Sequence, residues 1–307
     1  MMVEFDLSFV IVNWNTRDLL CQCIHAIHRN VVDQRYEIIL VDNASSDGSV
    51  EAVRRQFPEV RCIVNRENRG FGAANNQAFA VMQGRYAVLI NTDAELLEGA
   101  ADRLHTFMET HPDAGMACGQ LLNADGSRQN SFANFPTLLS LAVNESVLRM
   151  ICPRRFPSKY QTYTQPIEVE SCIGACMIVR KTAMDAAGVL DERYFFFMEE
   201  TDWALSFKRA GWRSYFIPDA RIYHYQGQSA GSGASSRIMF YRSRYQFIRK
   251  WHPRIYPIYH GIIGLRLLVG ALLNLLATLF TAGMHKATRL RCIRYLKIVW
   301  WHVNGCP

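Results

Sequence analysis

Residues 36–45 read YEIILVDNAS. Four consecutive apolar residues, three of them β-branched, stop abruptly in Asp42, Asn43 and Ser45. A run that is apolar on both faces and ends in hydrogen-bonding groups marks a buried parallel strand whose carboxyl end meets a ligand or water. The pattern recurs to either side, in 7–15 (LSFVIVNWN), 60–65 (VRCIVN) and 86–95 (YAVLINTDAE). The intervening segments read as helices: Arg17 to Asn30, SSDGSVEAVRRQF (45–57) with its capping residues, and the glycine-led GFGAANNQAFAVM (70–82). Strands alternating with helices predict an α/β chain with a mostly parallel, doubly wound sheet. Ligands of such sheets bind beyond the carboxyl ends of the strands. Three strands end there in polar residues: Asn13 and Asn15, Asp42 to Asp47, and Asn91 to Glu95.

Further along the pattern loosens. From about Gly115 to Tyr225 only a strand near 172–181 (CIGACMIVRK), a helix in TDWALSFKRAGW (201–212) with Thr201 or Asp202 near its start, and a strand near 214–225 (SYFIPDARIYHY) are predicted. Gly227 to Ser236 reads as a mobile Gly/Ser loop. Nine cysteines include no C-x-x-C pair, so zinc spacing is absent and free thiols are expected. The N-terminus reads as a first strand, not as a cleaved signal.

The net charge of +7 conceals an asymmetry. The last 88 residues carry thirteen Lys and Arg and no Asp or Glu, which leaves the first 219 at −6. A basic tail of this kind suits anionic lipid, nucleic acid or phosphorylated ligands. Its apolar content decides against nucleic acid. Arg266 is the one formal charge between Tyr256 and Met284. Beyond it, HKATRLRCIRYLKIVWWHVNG (285–305) sets Lys286, Arg289, Arg291, Arg294 and Lys297 among Leu290, Ile293, Leu296 and Trp300. That is the pattern of a membrane-surface helix. Residues 1–250 are expected to form the α/β domain and 251–307 a helical membrane-associating region.

The strand ends carry the chemistry. Asp93 and Glu95 can hold Mg²⁺ or Mn²⁺ against a diphosphate, because hard cations take oxygen ligands. Asn91 can bond a sugar hydroxyl. Asp42 and Asn43 offer acceptors to a base or ribose, and the glycines of NRENRGFGAANN (65–76) allow close backbone approach to a phosphate.

Taken in order, VNWN, ILVDNASSDGS, NRGFGAANN, INTDAE, GACMIVRK, LDERYFFFMEETDWALSFKRAGW and IPDARIYHYQGQS closely resemble the inverting glycosyltransferases of family 2. The resemblance covers roughly residues 8 to 250 and is nearest to bacterial rhamnosyltransferase-like members that build surface polysaccharides. It implies a single GT-A nucleotide-binding domain, a nucleotide-sugar donor and a divalent cation. On it, Asn15 and Asp42 lie at the base and ribose, Asn68, Gly70 and Asn75 near the diphosphate or sugar, and Asn13, Asn43, Ser45, Asn91 and Thr92 complete the donor-binding set. Asp93 is the main metal ligand, with Glu95 and His224. The usual Asp-x-Asp reads Asn91-Thr92-Asp93. Gly174, Ala175 and Cys176 line the acceptor side, and Arg242 and Arg244 face phosphates. The usual Glu-Asp-x-Asp reads Glu199-Glu200-Thr201-Asp202, which makes Glu200 the base, with Glu199 orienting the acceptor and Asp202 capping the helix. The aromatics Tyr194 to Phe197 would exclude water. The implied substrate is dTDP-L-rhamnose with a lipid-linked or saccharide acceptor, on the cytoplasmic side of a bacterial inner membrane. UDP-N-acetylglucosamine or a UDP- or GDP-hexose is the alternative donor. A nucleotidyltransferase would use similar strand-end carboxylates but release pyrophosphate.

Overall fold

The computed structural model describes residues 5–153, 155–158, 161–225, 233–282 and 284–306. The chain divides into two compact units, one of Met1–Phe135 with Arg149–Ser229, the other of Pro136–Leu148 with Ala230–Pro307. In the first, β1 (Phe5–Asn13), α1 (Arg17–Asn30), β2 (Tyr36–Asp42), α2 (Ser49–Gln56), β3 (Arg61–Val64), α3 (Phe71–Phe79) and β4 (Gly84–Ile90) alternate as the sequence predicts. Then come β5 (Ala94–Leu96), α4 (Ala100–Thr110), β6 (Ala114–Leu122) and β7 (Phe132–Ala133). Two short helices follow in the chain, α5 (Leu138–Ala142), which belongs to the second unit, and α6 (Glu145–Ile151), in which the chain passes back to the first. The unit closes with β8 (Ile167–Val169), β9 (Ser171–Cys172), β10 (Cys176–Arg180), α7 (Lys181–Ala187), α8 (Glu199–Arg209) and β11 (Arg213–His224).

The main sheet runs β3-β2-β1-β4-β10-β6-β11-β5, with β8 also on β11. β3, β2, β1 and β4 are mutually parallel. β10 enters antiparallel between β4 and β6, while β11 runs parallel to β6. The sheet is therefore mixed: the carboxyl ends of β1 to β4, β6 and β11 open on one edge, and β10 and β5 run the other way. Leu7, Phe9 and Ile11 on one strand and Ile38 and Leu40 on the next pack with Leu20, Ile24 and Ile27 of α1 in a continuous buried core.

Two elements differ from expectation. β6, buried along its whole length, reads AGMACGQLL and was not foreseen, because Ala, Gly and Cys carry little strand signal. Its glycines answer to packing. A Cβ at Gly115 would come within 2.8 Å of Phe207 and Trp212, and one at Gly119 would strike the carbonyl of Ala220. The strand expected at 172–181 is two, β9 and β10, with Gly174 and Ala175 in the turn between them.

The second unit holds α9 (Ala234–Trp251), α10 (Tyr256–Phe280) and α11 (Lys286–Val303). The boundary expected at 250 falls inside α9, which this unit claims through Tyr245: its ring stacks with Trp301 and its hydroxyl lies 2.9 Å from Nδ1 of His302. Of the expected loop, residues 227–232 lie outside the described residues, and Ala234 to Ser236 form the first turn of α9. α10 is long and apolar enough to cross a membrane, with a mean hydropathy of 2.1 over its best window and only 22% of that window buried. All nine cysteines are free.

Candidate active site

β1 and β2 deliver the first cluster. Asn13 and Asp42 are register partners at the ends of these strands. Asn13 donates to Asp42 Oδ1 at 2.8 Å and to the Ser45 hydroxyl at 2.9 Å, and Asp42 Oδ2 accepts from the Ser45 N–H. Asn15 sits at φ 53°, with its amide held on the Ser45 hydroxyl. Thr16, which sequence reasoning passed over, donates to Asn13 Oδ1 and accepts from the hydroxyl of Thr92, 76 positions away, and so ties the β1 end to the β4 end. Its place immediately before α1 was the only sequence signal.

The next loop is built by close approach. Asn43 bonds Gly70 O and Asn65, and Asn68 accepts from Gly70 N–H. Gly70 is at φ +82°, and a Cβ there would stand 2.5 Å from the carbonyl of Phe195. The absent side chain thus admits the protein's own loop at 195, and the expected phosphate approach is not what requires this glycine. Phe71 N–H completes the junction by donating to the same carbonyl at 2.9 Å. Asn75 is fully buried. It donates to Phe71 O, while its Oδ1 has no partner.

At the end of β4, Asn91 N–H bonds Ala175 O at 2.9 Å, which places the 174–176 turn beside Asn91. Asp93, 1% exposed, faces His224, whose Nε2 lies 3.5 Å from Asp93 Oδ1. This oxygen meets no hydrogen-bond donor. Register and hydrogen bonding fix the pair, since His224 is opposite Ala94 and Tyr225 N–H bonds Asp93 O at 2.8 Å. Gln129 then sets the imidazole. Its amide nitrogen donates to His224 O and Asn123 Oδ1, so its Oε1 accepts from His224 Nδ1 at 2.9 Å. With the proton on Nδ1, Nε2 turns a lone pair toward Asp93. Two acceptor atoms facing each other without a proton fit a divalent cation with oxygen and imidazole ligands. Glu95 stands one strand position further, opposite Tyr223, and bears on the Tyr225 hydroxyl. Gln129 carries no sequence signal, because it lies 95 positions from the histidine it orients.

The acidic segment opens α8, which begins at Glu199, earlier than the expected Thr201 or Asp202. Phe197 and Met198, at φ 69° and 73°, turn the chain into it. Non-glycine residues at positive φ are strained and held only by surrounding structure. Glu199 is 4% exposed, and its Oε2 meets no partner. Burial first, then the adjacent Glu200, pushes its carboxyl well above the usual range. Glu200 is half-buried, and burial raises it to about 7, against hydrogen bonds from its own N–H and from Thr201 that favour the carboxylate. Gly174 stands over Glu200: a Cβ on it would lie 3.9 Å from Glu200 Cβ and Cγ. Asp202 does not cap the helix. Buried within the first turn, it accepts from the Tyr194 hydroxyl at 3.1 Å, and its N–H bonds Met198 O. Tyr194 is therefore core, whereas Phe195 is half exposed, so the four aromatics do not form one wall. Arg242 and Arg244 lie on α9 in the second unit, where Arg244 lies against the rings of Phe240 and Tyr259.

The family model for glycosyl transferase family 2 matches residues 8–188. The N-acetylglucosaminyl-diphospho-decaprenol L-rhamnosyltransferase of Mycobacterium tuberculosis is 30% identical over 231 residues, covering 70% of this chain and 75% of that protein. Glycosyltransferase GlyG of Streptococcus pneumoniae is 31% identical over 153 residues, covering 48% and 50%. Among solved structures, a mannosyltransferase from Pyrobaculum calidifontis in complex with GDP-Man and Mn²⁺ superposes with a TM-score of 0.58 at 17% identity, covering 99% of this chain and 88% of that one. GalNAc-T7 with UDP, GalNAc and Mn²⁺ gives 0.60 at 14%, covering 99% and 57%. The chain belongs to glycosyl transferase family 2; it is a glycosyltransferase with the GT-A type of α/β fold.

Proposed function

We propose that this enzyme moves one L-rhamnose from dTDP-rhamnose to a lipid-linked saccharide in cell-surface polysaccharide synthesis, with inversion. The observation that carries the sugar and acceptor is the 30% identity to a rhamnosyltransferase whose name specifies a diphospho-decaprenol lipid. The network of Asn13, Asn15, Asp42, Asn43 and Ser45 would receive the base and ribose. Asn68, Gly70, Asn75, Asn91 and Thr92 would receive the diphosphate and sugar.

Asp93 and His224, with Glu95 beside them, are the residues that would hold Mg²⁺ or Mn²⁺. Bound there, the ion supplies positive charge to the departing diphosphate. Glu200 acts as the base. The acceptor oxygen forms its bond to the anomeric carbon, the bond from that carbon to the diphosphate breaks, and the acceptor's proton passes to Glu200. A carboxylate that titrates near 7 is matched to this task at neutral pH. Glu199, kept protonated by burial, donates a hydrogen bond that orients the acceptor. The bare Gly174 leaves room for the acceptor in front of Glu200, with Ala175 and Cys176 behind it. Arg242 is the proposed phosphate contact in the second unit. Arg244 is engaged with Phe240 and Tyr259, so positioning fits it better.

Exposed Leu265, Leu268, Leu272, Leu276 and Phe280 on α10, with exposed Arg289, Arg291 and Lys297 on α11, support attachment to the cytoplasmic face of an anionic membrane. The test is transfer to an N-acetylglucosaminyl-diphospho-polyprenol from dTDP-L-rhamnose, UDP-N-acetylglucosamine and GDP-mannose in parallel. Rhamnosylated lipid of inverted configuration, with release of dTDP, is expected. Transfer from a UDP- or GDP-sugar alone would replace the proposed donor, and release of pyrophosphate would replace the reaction class.

A further inference from the structure

The second unit brings together three side chains with metal-binding chemistry, none of them used above. His260 lies near the start of α10, His302 in the last turn of α11, and Cys306 four residues beyond. Cys306 Sγ is 3.5 Å from His260 Nε2 and 3.8 Å from His302 Nδ1. Donor atoms of all three residues lie within 4.8 Å of one another. For a tetrahedral zinc ion, bonds of about 2.3 Å to sulfur and about 2.0 Å to nitrogen put those ligands about 3.6 Å apart. The two observed sulfur–nitrogen distances bracket that separation.

The surroundings are built to hold the imidazoles. His302 is 8% exposed, and its ring stacks on that of His260 with centroids 4.1 Å apart. A Cβ at Gly264 would stand 2.5 Å from His302 Nε2, so a glycine there is what lets the His302 ring lie against α10. With Nε2 turned to α10, Nδ1 is the nitrogen presented to Cys306 and to the Tyr245 hydroxyl, 2.9 Å away.

We propose that His260, His302 and Cys306 form a three-ligand site for a zinc-class transition metal that fastens α10 to the end of α11. One thiolate and two imidazoles favour such an ion over Mg²⁺ or Mn²⁺, which prefer oxygen. Metal on Nδ1 takes the place of the hydrogen bond to Tyr245, and frees that hydroxyl to stand beside the fourth position. The sequence hid the site because its ligands are 42 and 4 positions apart and share no short zinc spacing.

The test uses the full chain in detergent, loaded with Zn²⁺ and dialysed, with metal counted by elemental analysis. Co²⁺ is then substituted, because thiolate–cobalt charge transfer reports sulfur ligation directly. One retained zinc per chain is expected, with a charge-transfer band that persists in Asp93→Asn. Cys306→Ser and His260→Asn should each lose the band and weaken zinc retention by at least about tenfold, with unchanged circular dichroism. His260→Asn serves as the independent check should Cys306→Ser lose its fold. Absence of zinc from the wild-type chain, or a band that survives in both variants, overturns the proposal.

Discussion

Replacing Glu200 by Gln should kill the reaction and strengthen the fold, and the two effects share one cause. Burial raises Glu200 from an ordinary value of 4.5 to about 7. A group whose folded value is raised favours the fold while protonated. That contribution is fully present below the unfolded value and is lost as pH climbs through the folded one. Above pH 7 the wild-type enzyme therefore carries the cost of an ionised, partly desolvated carboxylate. About 2.5 units at about 1.4 kcal/mol each sets a ceiling near 3 kcal/mol. Solvent screening at a half-buried group reduces this to about 1–2 kcal/mol. Gln cannot ionise, so Glu200→Gln should be more stable than wild type by about that amount at pH 8 and nearly equal to it at pH 4.5. At about 2–4 °C per kcal/mol, the shift in melting temperature is readable by scanning fluorimetry. Transfer should fall about 10²–10⁴-fold, the usual contribution of a general base, with donor binding unchanged. In the wild type, turnover should rise with pH through about 7 as the base ionises. The reasoning is refuted if Glu200→Gln turns over normally, or if its stability relative to wild type is the same at pH 4.5 and pH 8.

Other substitutions test other joints of the site. Gln129→Leu should leave the fold intact and raise the Mn²⁺ requirement about 10–100-fold, with Gln129→Glu partly rescuing it by restoring an acceptor to Nδ1; equal metal titrations would remove Gln129 from the site. Asp93→Ala should lose metal-dependent turnover, and full activity at limiting Mn²⁺ would show that the cation is held elsewhere. Tyr194→Phe removes the hydroxyl that donates to the buried Asp202, so chemical unfolding should show a loss of about 1 kcal/mol with little change in the pH profile. Charge reversal at Arg289, Arg291 and Lys297 should release the protein from anionic vesicles at about 1 kcal/mol per residue or more, while hydrolysis of the free donor continues.

Much of this was legible in the chain, for reasons that particular residues make clear. β1 to β4 are apolar runs of β-branched residues cut off by Asn13, Asp42 and Asn91, so period, type and boundary agree. β6 escaped because its centre is Gly115-Met116-Ala117-Cys118-Gly119, small residues selected by what Phe207, Trp212 and Ala220 press against them. Facing residues could not be read at all. Gln129 meets His224 across 95 positions, Thr16 meets Thr92 across 76, and Gly70 meets Phe195 through a missing Cβ. A linear pattern reports what a segment is made of, whereas these pairs are set by register and by loops closing on one another. The acids were legible as a group, but their separate surroundings were not: Asp202 accepts from Tyr194, and Glu199 is buried.

The acidic turn breaks several local rules at once, and the breaches point the same way. Phe197 and Met198 occupy positive φ without being glycine, at about 1–3 kcal/mol each. Glu199 leaves a buried carboxyl oxygen unpartnered, and Glu200 stays ionisable near neutral pH only because it is desolvated. The offset comes from behind, where Trp203 and Phe207 of α8 are buried, Trp203 stacks on Phe79, and its indole bonds Gly188 O at 2.8 Å. Large apolar side chains on the core face of α8 hold the first turn rigid, which keeps the strained entry in place, Glu199 buried and Glu200 partly desolvated. A truncation such as Trp203→Ala should therefore cost stability by about 3–5 kcal/mol and also let Glu200 drift back toward an ordinary carboxylate value. The acid limb of the rate profile would then move below pH 7. A destabilised Trp203→Ala enzyme that kept its profile at about 7 would show that the raised value originates in the turn itself and not in the packing beneath it.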